Sequence, residues 1–270
     1  MGADRVLAPF GRRAVGVTAR ERHGAYIVLR CSDGGGPRAA PGQFYMLTAG
    51  SRWGGGDGER PFLPRAFSVL RAPAGTDELQ FLIEDVGPGT NRLCELDAGE
   101  ELLIVGPLGV GFEPPRDRRL PLLAGGGVGI APLAIWQDKL GSHTPALLGF
   151  RDAAHARGAE LLSGPQVATD DGSVGHHGLV TELLARALDA DAHVEVYACG
   201  PPAMLEAVRA LCSERDVPAQ LALESGMACG FGACFGCVVP TRDGYVRLCV
   251  DGPVLDAAQL ETALVAGAGH

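Results

Sequence analysis

Cys229, Cys234, Cys237 and Cys249 follow one another as C-x4-C-x2-C…C near the end of a 270-residue chain. Three thiolates so close in sequence, joined by a fourth from the next strand, can surround one small inorganic core, and this order is the spacing of plant-type [2Fe-2S] clusters. Gly230, Gly232 and Gly236 lie between them. They remove side-chain bulk and permit positive φ where a backbone must wrap tightly and aim its N–H groups at sulfur. Four thiolates also suit tetrahedral zinc, but zinc sites favour paired C-x2-C knuckles, and here only Cys234 and Cys237 make such a pair. Disulfides fit less well, since nothing marks the chain as secreted. The four cysteines are therefore the candidate metal ligands, and the chemistry they point to is movement of single electrons.

Two further loops carry the marks of nucleotide chemistry. Gly125-Gly126-Gly127-Val128-Gly129-Ile130-Ala131-Pro132 follows an apolar strand and opens a helix. In that position backbone N–H groups and the helix dipole receive a pyrophosphate. The loop is not G-x-G-x-x-G and no acidic residue plainly ends the second strand to hold a ribose, so a tight structural turn stays open as the other reading. Tyr197-Ala198-Cys199-Gly200-Pro201-Pro202, with Met204 behind it, also ends a strand, where ligands of open α/β sheets gather. Cys199 faces the same crevice on this reading, and is a small core residue on the plainer one.

Earlier in the chain, Arg65-Ala66-Phe67-Ser68 offers a guanidinium and a hydroxyl. They share a strand face only if the strand bends, and the alternative is an ordinary strand start. Gly87-Pro88-Gly89-Thr90 is a turn whose amides make a second phosphate cradle.

The elements that must position these groups fall into three segments. Residues 12–115 read as short alternating strands (Ala25 to Arg30, Phe44 to Thr48, Ala66 to Leu70, Leu79 to Glu84, Glu101 to Val105) punctuated by Gly and Pro, the pattern of an antiparallel barrel or sandwich. The Gly-rich stretch from Gly50 to Pro64 reads as an excursion between strands. Residues 116–217 alternate strands (Leu120 to Ala124, Ala146 to Phe150, Glu195 to Ala198) with helices (to about Leu140, Thr181 to Leu188, Pro202 to Arg215), which implies a parallel sheet covered by helices. Residues 218–262 hold the cysteine loop and a hairpin through Thr241 to Leu248, a segment too small for an independent core without its metal.

A net charge of -9 with scattered Lys and Arg gives no basic face, which excludes nucleic acid as a partner. Arg5, Arg12, Arg13 and Arg20 surround no long apolar run, so no signal or transit segment is expected and the cytoplasm is the expected location. The uncharged run from Leu120 to Trp136 falls short of the ~20 residues that span a bilayer, and it contains three adjacent glycines and a proline. Cys31, Cys94 and Cys212 are dispersed and expected to be reduced.

Taken in order, Arg-x-Phe-Ser, Gly-x-Gly-Thr, Gly106-Pro107-Leu108-Gly109-x-Gly111-Phe112, Gly-Gly-Gly-x-Gly-x-x-Pro, Cys-Gly-Pro, and Met227-Ala228-Cys229 through Cys249-x-Asp251-Gly252-Pro253 resemble the ferredoxin reductase-like flavoproteins. Among these, the chain is similar from about Val15 to Leu260 to the family of electron-transfer subunits of class 1B dihydroorotate dehydrogenases. The resemblance implies a β + α/β fold: an FAD-binding antiparallel β-barrel, a Rossmann-like NAD domain and a small [2Fe-2S] domain. It places FAD along Arg65, Ala66, Phe67 and Ser68, with Arg65 on a pyrophosphate oxygen and Ser68 near the flavin ring. Leu82, Ile83 and Glu84 lie along it through the main chain, and Gly89 and Thr90 meet its phosphates. NAD is bracketed by Gly125, Gly126, Gly127, Gly129 and Pro132 on one side and Cys199, Gly200 and Pro201 on the other. Ala66 stands where the family commonly has proline, the stretch from Gly50 to Pro64 is longer than usual, and Gly226 replaces a bulkier residue.

The implied activity is an oxidoreductase subunit that passes electrons from an FMN-containing dihydroorotate dehydrogenase catalytic subunit through [2Fe-2S] and FAD to NAD+, in a heterotetramer of two of each, without itself binding dihydroorotate. Hydride exchange moves two electrons and a cluster one, so a flavin between them is needed. Phe231 and Phe235 face either that partner or the core. Arg151 after the second strand could meet a 2′-phosphate, and neighbouring Asp152 would oppose it, leaving NAD against NADP open. Reductase subunits of hydrogenases, sulfur reductases or ferredoxin-NAD(P) transhydrogenases share these modules; phthalate-type reductases need a full ferredoxin domain for which the chain has no room. The alternative of another class is a nucleotide-binding redox sensor or zinc adaptor without catalysis.

Overall fold

The computed structural model describes residues 11–54, 61–191 and 193–265; Arg5 and the middle of the stretch from Gly50 to Pro64 lie outside them. Six strands, β1 (Arg13–His23), β2 (Tyr26–Ser32), β3 (Phe44–Ala49), β4 (Arg65–Arg71), β5 (Glu78–Glu84) and β6 (Glu101–Leu108), close into a barrel in the order β1-β2-β5-β4-β3-β6. All its pairings are antiparallel. Alternate residues (Leu29, Cys31, Tyr45, Leu47, Val69, Phe81, Ile83, Leu102, Ile104) fill its interior. Their neighbours Val28, Leu70 and Leu82, and Phe44 and Met46, point outward yet are also buried, because other parts of the chain pack there. Strands covered on both faces read as unbroken apolar runs, which is why β2, β3 and β5 carry so little polar alternation. A short helix, α1 (Pro88–Cys94), follows β5 where the sequence pointed only to a turn.

The second unit is a seven-stranded sheet. Its elements are β7 (Leu120–Gly126), α2 (Ile130–Leu140), β8 (Ala146–Phe150), α3 (Ala153–Ala156), β9 (Gln166–Thr169), β10 (His176–His177), α4 (Val180–Ala190), β11 (Val194–Cys199), α5 (Pro202–Glu214) and β12 (Ala219–Ala222). The strand order β10-β9-β8-β7-β11-β12-β15 ends on an antiparallel edge strand, β15 (Val254–Asp256). Every residue of α2 from Ile130 to Gln137 is buried, since the helix is wedged between the barrel and the sheet. Trp136 lies 5.9 Å from Phe112 and 5.4 Å from Tyr197, ring centroid to centroid. A helix enclosed on all sides has no polar face to show, as its sequence anticipates.

The cysteine segment leaves this sheet at β12 and returns to it at β15, enclosing a hairpin of β13 (Val238–Thr241) and β14 (Gly244–Arg247). Both ends of the excursion are therefore fixed by adjacent strands. Cys237, Val239, Leu248 and Cys249 join a core that also contains Phe44, Met46 and Leu108 of the barrel. This shared core supplies the burial that a segment of its size lacks alone. No helix among the described residues is long and apolar enough to cross a membrane.

Candidate functional site

The four cysteines come together in the folded chain. Cys234 lies against Cys229, the Cys249 N–H donates to Cys237 Sγ at 3.4 Å, and Cys229 is near enough to Cys249 to act on its charge. Among the described residues no three His, Cys, Asp or Glu side chains converge on a single metal position. Four thiolates can serve one zinc or two irons at two each, and the C-x4-C-x2-C…C spacing is that of the two-iron cluster. The inner pair, Cys237 and Cys249, is buried; Cys229 is half-buried and Cys234 exposed. Burial opposes ionisation of Cys229, but N–H groups of Cys234, Phe231 and Ala233 and the Cys234 thiol outweigh it and bring the group down to about 6. Burial pushes Cys249 up to about 12, reinforced by the Cys237 thiol. Gly230 and Gly232 hold φ of 81° and 87°, and a methyl on Gly230 would run into Met46. The loop is thus pressed onto β3 at Met46.

Met46 is the cross-strand partner of Ala66, and Phe44 that of Ser68. Directly opposed residues of an antiparallel pair share a face, so Ala66 and Ser68 lie on the same outer side of the barrel as the cluster loop. The register from Leu47↔Arg65 to Phe44↔Ser68 runs without a bulge, so Arg65 and Ser68 leave β4 on alternate sides. Ala66 is exposed and Phe67 and Ser68 half-buried, in contrast to β3 beside them. The outer side of β4 at Ala66 and Ser68 is thus less covered than β3 beside it.

Arg65 itself turns toward α1. A Cβ on Gly89 would lie 2.7 Å from its Nε and 3.0 Å from Cζ and Nη2. The Trp53 ring faces the guanidinium at 5.9 Å, and its buried Nε1–H has no partner among the described residues. Thr90 Oγ1 accepts from the N–H groups of Val86 and Gly87 and donates to the Gly87 carbonyl, closing the turn. A guanidinium over a side-chain-free turn is a cradle for phosphate oxygens. Leu82 and Ile83 are buried on β5, while the Glu84 carboxylate reaches the second unit, 3.1 Å from Arg151 Nη2 and 3.0 Å from His155 Nε2.

The two loops expected to bracket a dinucleotide touch. A Cβ on Gly129 would stand 2.5 Å from the Cys199 carbonyl oxygen and 2.6 Å from Gly200 Cα. One on Gly126 would meet Met204 Sδ at 2.7 Å and Pro201 at 3.0 Å. Gly127 takes φ of 55°, and the turn Gly127–Gly129 leads straight into α2 with Pro132 in its first turn. The glycines therefore permit close approach at the carboxyl ends of β7 and β11, adjacent parallel strands. Burial, and behind it Glu224, push the Cys199 thiol far up. A neutral thiol here is no nucleophile.

Residues 224–261 fit the model of the iron-sulfur cluster binding domain of dihydroorotate dehydrogenase B. The electron transfer subunit of dihydroorotate dehydrogenase B (NAD(+)) from Clostridium perfringens is 33% identical over 82% of this chain and 86% of its own. The chain belongs to this family of electron transfer subunits. The subunit of the same name from Caldanaerobacter subterraneus subsp. tengcongensis is 36% identical over 83% of this chain and 88% of that protein. The fold extends to more distant structures. An NADH-dependent reduced ferredoxin-NADP oxidoreductase superposes with a TM-score of 0.75 at 23% identity, covering 92% of this chain and 90% of that one. A ferredoxin NADP+ reductase from Neisseria gonorrhoeae, with bound FAD and NADP, gives 0.61 at 17% identity over 76% and 91%. The barrel and parallel sheet anticipated from the sequence are the fold these ferredoxin reductase structures share, and the cysteine segment is the one the family model matches.

Four contributors escaped sequence reasoning. Met46 is an ordinary apolar strand residue until its contact with Gly230 is seen. Trp53 sits in a stretch that reads as loop. The Glu84–His155 contact spans 71 residues and has no local signature. Asp170 and Asp171 follow β9, which the sequence did not resolve, and their N–H groups bond the carbonyls of Phe150 and Arg151. The dipeptide Asp-Asp before a glycine was the available signal.

Proposed function

We propose that the chain carries electrons between a dihydroorotate-oxidising catalytic subunit and NAD+, holding a [2Fe-2S] cluster, FAD and the nicotinamide nucleotide. The observation that carries this reading is the contact of Gly230 with Met46, whose strand partner is Ala66. One residue thereby joins the thiol loop to the less covered outer side of β4. Bound FAD supplies the conversion between hydride, which moves two electrons, and the single electrons of an iron-sulfur cluster. The protein's own part is positional. Cys229 and Cys234 hold one iron, Cys237 and Cys249 the other. Phe44, Met46 and Leu108, all buried, keep water out of the space between thiols and β4. Arg65 and the turn at Gly89 and Thr90 grip the FAD pyrophosphate, and Ala66 and Ser68 seat its ring, with Phe67 between them contributing through its main chain. The Gly125 to Pro132 and Cys199 to Pro201 loops hold the dinucleotide. Leu82, Ile83 and the Glu84 main chain complete the FAD side.

The name of the relatives, electron transfer subunit, supports a catalytic subunit as partner. The reading extends to an FMN-containing partner, two copies of each chain and the cytoplasm. Phe231 and Phe235 are exposed beside the thiols, and Arg247 stacks over the Phe235 ring at 5.3 Å, which suits them to that interface. Mixing the anaerobically prepared protein with the FMN subunit tests the whole. NADH formation on addition of dihydroorotate is the expected result. A reconstituted pair that contains iron and flavin yet forms no NADH overturns it.

A further inference from the structure

The carboxyl ends of β8 and β9 are the part of the nucleotide crevice where an open α/β sheet reads the ribose. Arg151, immediately after β8, is 64% exposed, and a guanidinium there is what a 2′-phosphate seeks. Its charge is already engaged. Nη2 lies 3.1 Å from Glu84 Oε1, and Nε lies 3.6 Å from Asp152 Oδ2. Glu84 comes from the barrel, at the end of β5, and is held in place by His155, whose Nε2 is 3.0 Å from the same oxygen. Asp152 is fixed in turn: its Oδ1 accepts from the His155 N–H at 3.0 Å and lies 2.6 Å from His155 Nδ1. Exposed Asp170 and Asp171 hang from the carbonyls of Phe150 and Arg151 beside them. The rim thus presents four carboxylates and one guanidinium. A phosphomonoester, which carries close to two negative charges at neutral pH, meets repulsion unless Arg151 is released.

We propose that Glu84 is a specificity residue acting across the boundary between barrel and sheet: by holding Arg151 it denies a 2′-phosphate its cation and sets the crevice for NAD rather than NADP. The inference rests on the dinucleotide reading of the Gly125 to Pro132 loop. Asp152 supports the same bias and stays in place when Glu84 is changed, because its contacts are to α3. The pair also ties the two units together, so the selecting contact forms only when they are docked.

Calorimetric titration of the FAD-loaded, iron-loaded protein with NAD+ and with NADP+, at fixed ionic strength, tests this. The wild type should bind NAD+ at least tenfold more tightly. Glu84→Gln should tighten NADP+ by roughly tenfold, the range of one charge-assisted hydrogen bond, a larger change than any in NAD+. Arg151→Ala alone should not tighten NADP+ binding, since it removes the one cation and leaves the carboxylates, and the double variant Glu84→Gln, Arg151→Ala should lose the gain. The gain should also shrink as salt is raised. A nucleotide ratio unmoved by Glu84→Gln overturns the proposal, as does a gain that survives in the double variant or a wild type indifferent to the 2′-phosphate. Failure of the wild type to bind either nucleotide overturns it together with the dinucleotide site, a pattern distinct from NAD+ binding with an unshifted ratio.

Discussion

The Arg65 guanidinium occupies the space that a side chain on Gly89 would need, with Nε 2.7 Å from the place of its Cβ. Strand β4 and helix α1 therefore approach each other only because residue 89 is glycine. Gly89→Ala should push Arg65 aside without unfolding the barrel, since the obstructing atoms are the end of a flexible side chain. FAD affinity should fall about tenfold, and Arg65→Ala should cost as much or more, in line with losing a charge-assisted hydrogen bond. Equilibrium dialysis of the apoprotein with FAD measures both. Unchanged affinity in Arg65→Ala would remove Arg65 from the site.

The unequal burial of the thiols sets a graded expectation for the cysteines. Cys237 and Cys249 are each only 2% exposed and lie in the core that joins cysteine segment, sheet and barrel. Cys237→Ser or Cys249→Ser should abolish iron binding and lower the thermal midpoint as well. Cys234→Ser, on the surface, should abolish iron binding with a smaller thermal loss in the iron-free protein. In that iron-free form iodoacetamide should reach Cys229 first, with half-maximal labelling near pH 6, while Cys249 stays protected through neutral pH. Iron analysis, calorimetry and mass spectrometry read these out.

Much of this was legible in the chain because the informative features are local. The C-x4-C-x2-C run, the glycine loop after an apolar strand and the short punctuated strands each occupy a few consecutive residues. The illegible parts are those made by distance. β1, eleven residues with polar outer positions, does not stand out by periodicity. β12 and β15, of four and three residues, become strands only because they pair with each other and with β11. Arg65 and Ser68 illustrate the limit within one motif. The two could share a face only if the strand bent, and an unbulged register puts them on opposite sides, one toward α1 and one toward the cluster.

Gly129 carries the third expectation. An added methyl would meet main-chain atoms, the Cys199 carbonyl oxygen at 2.5 Å and Gly200 Cα at 2.6 Å, and backbone gives way less readily than a side-chain tip. Gly129→Ala should therefore wedge the two nucleotide loops apart. The KM for NADH in flavin reduction should rise about tenfold or more, a larger effect than any on FAD content, because the wedge opens between the ends of β7 and β11 and not within the barrel. Cys199→Ala should change the rate of flavin reduction by less than about tenfold, since its thiol is held neutral by burial and has no nucleophilic part. Stopped-flow bleaching of the flavin separates the two variants.

Glu206 anchors the end of the described chain to α5. Its carboxylate accepts from Arg209, from the Ala263 N–H and from the Thr262 hydroxyl. The Arg209 hydrogen bond, ahead of the others, brings its pKa down to about 2. A carboxylate depressed in the folded state stabilises it fully above the unfolded value near 4.5 and loses that contribution as pH falls toward 2. Because the group is partly exposed to solvent, the contribution is on the order of 1 kcal/mol. Glu206→Gln should accordingly be less stable than wild type at pH 7 by about that amount, and the two denaturation curves should converge between about pH 4.5 and pH 2. Urea titrations across that range measure the convergence; a gap independent of pH would mean that the hydrogen bonds to residues 262 and 263, and not the charge, hold the tail.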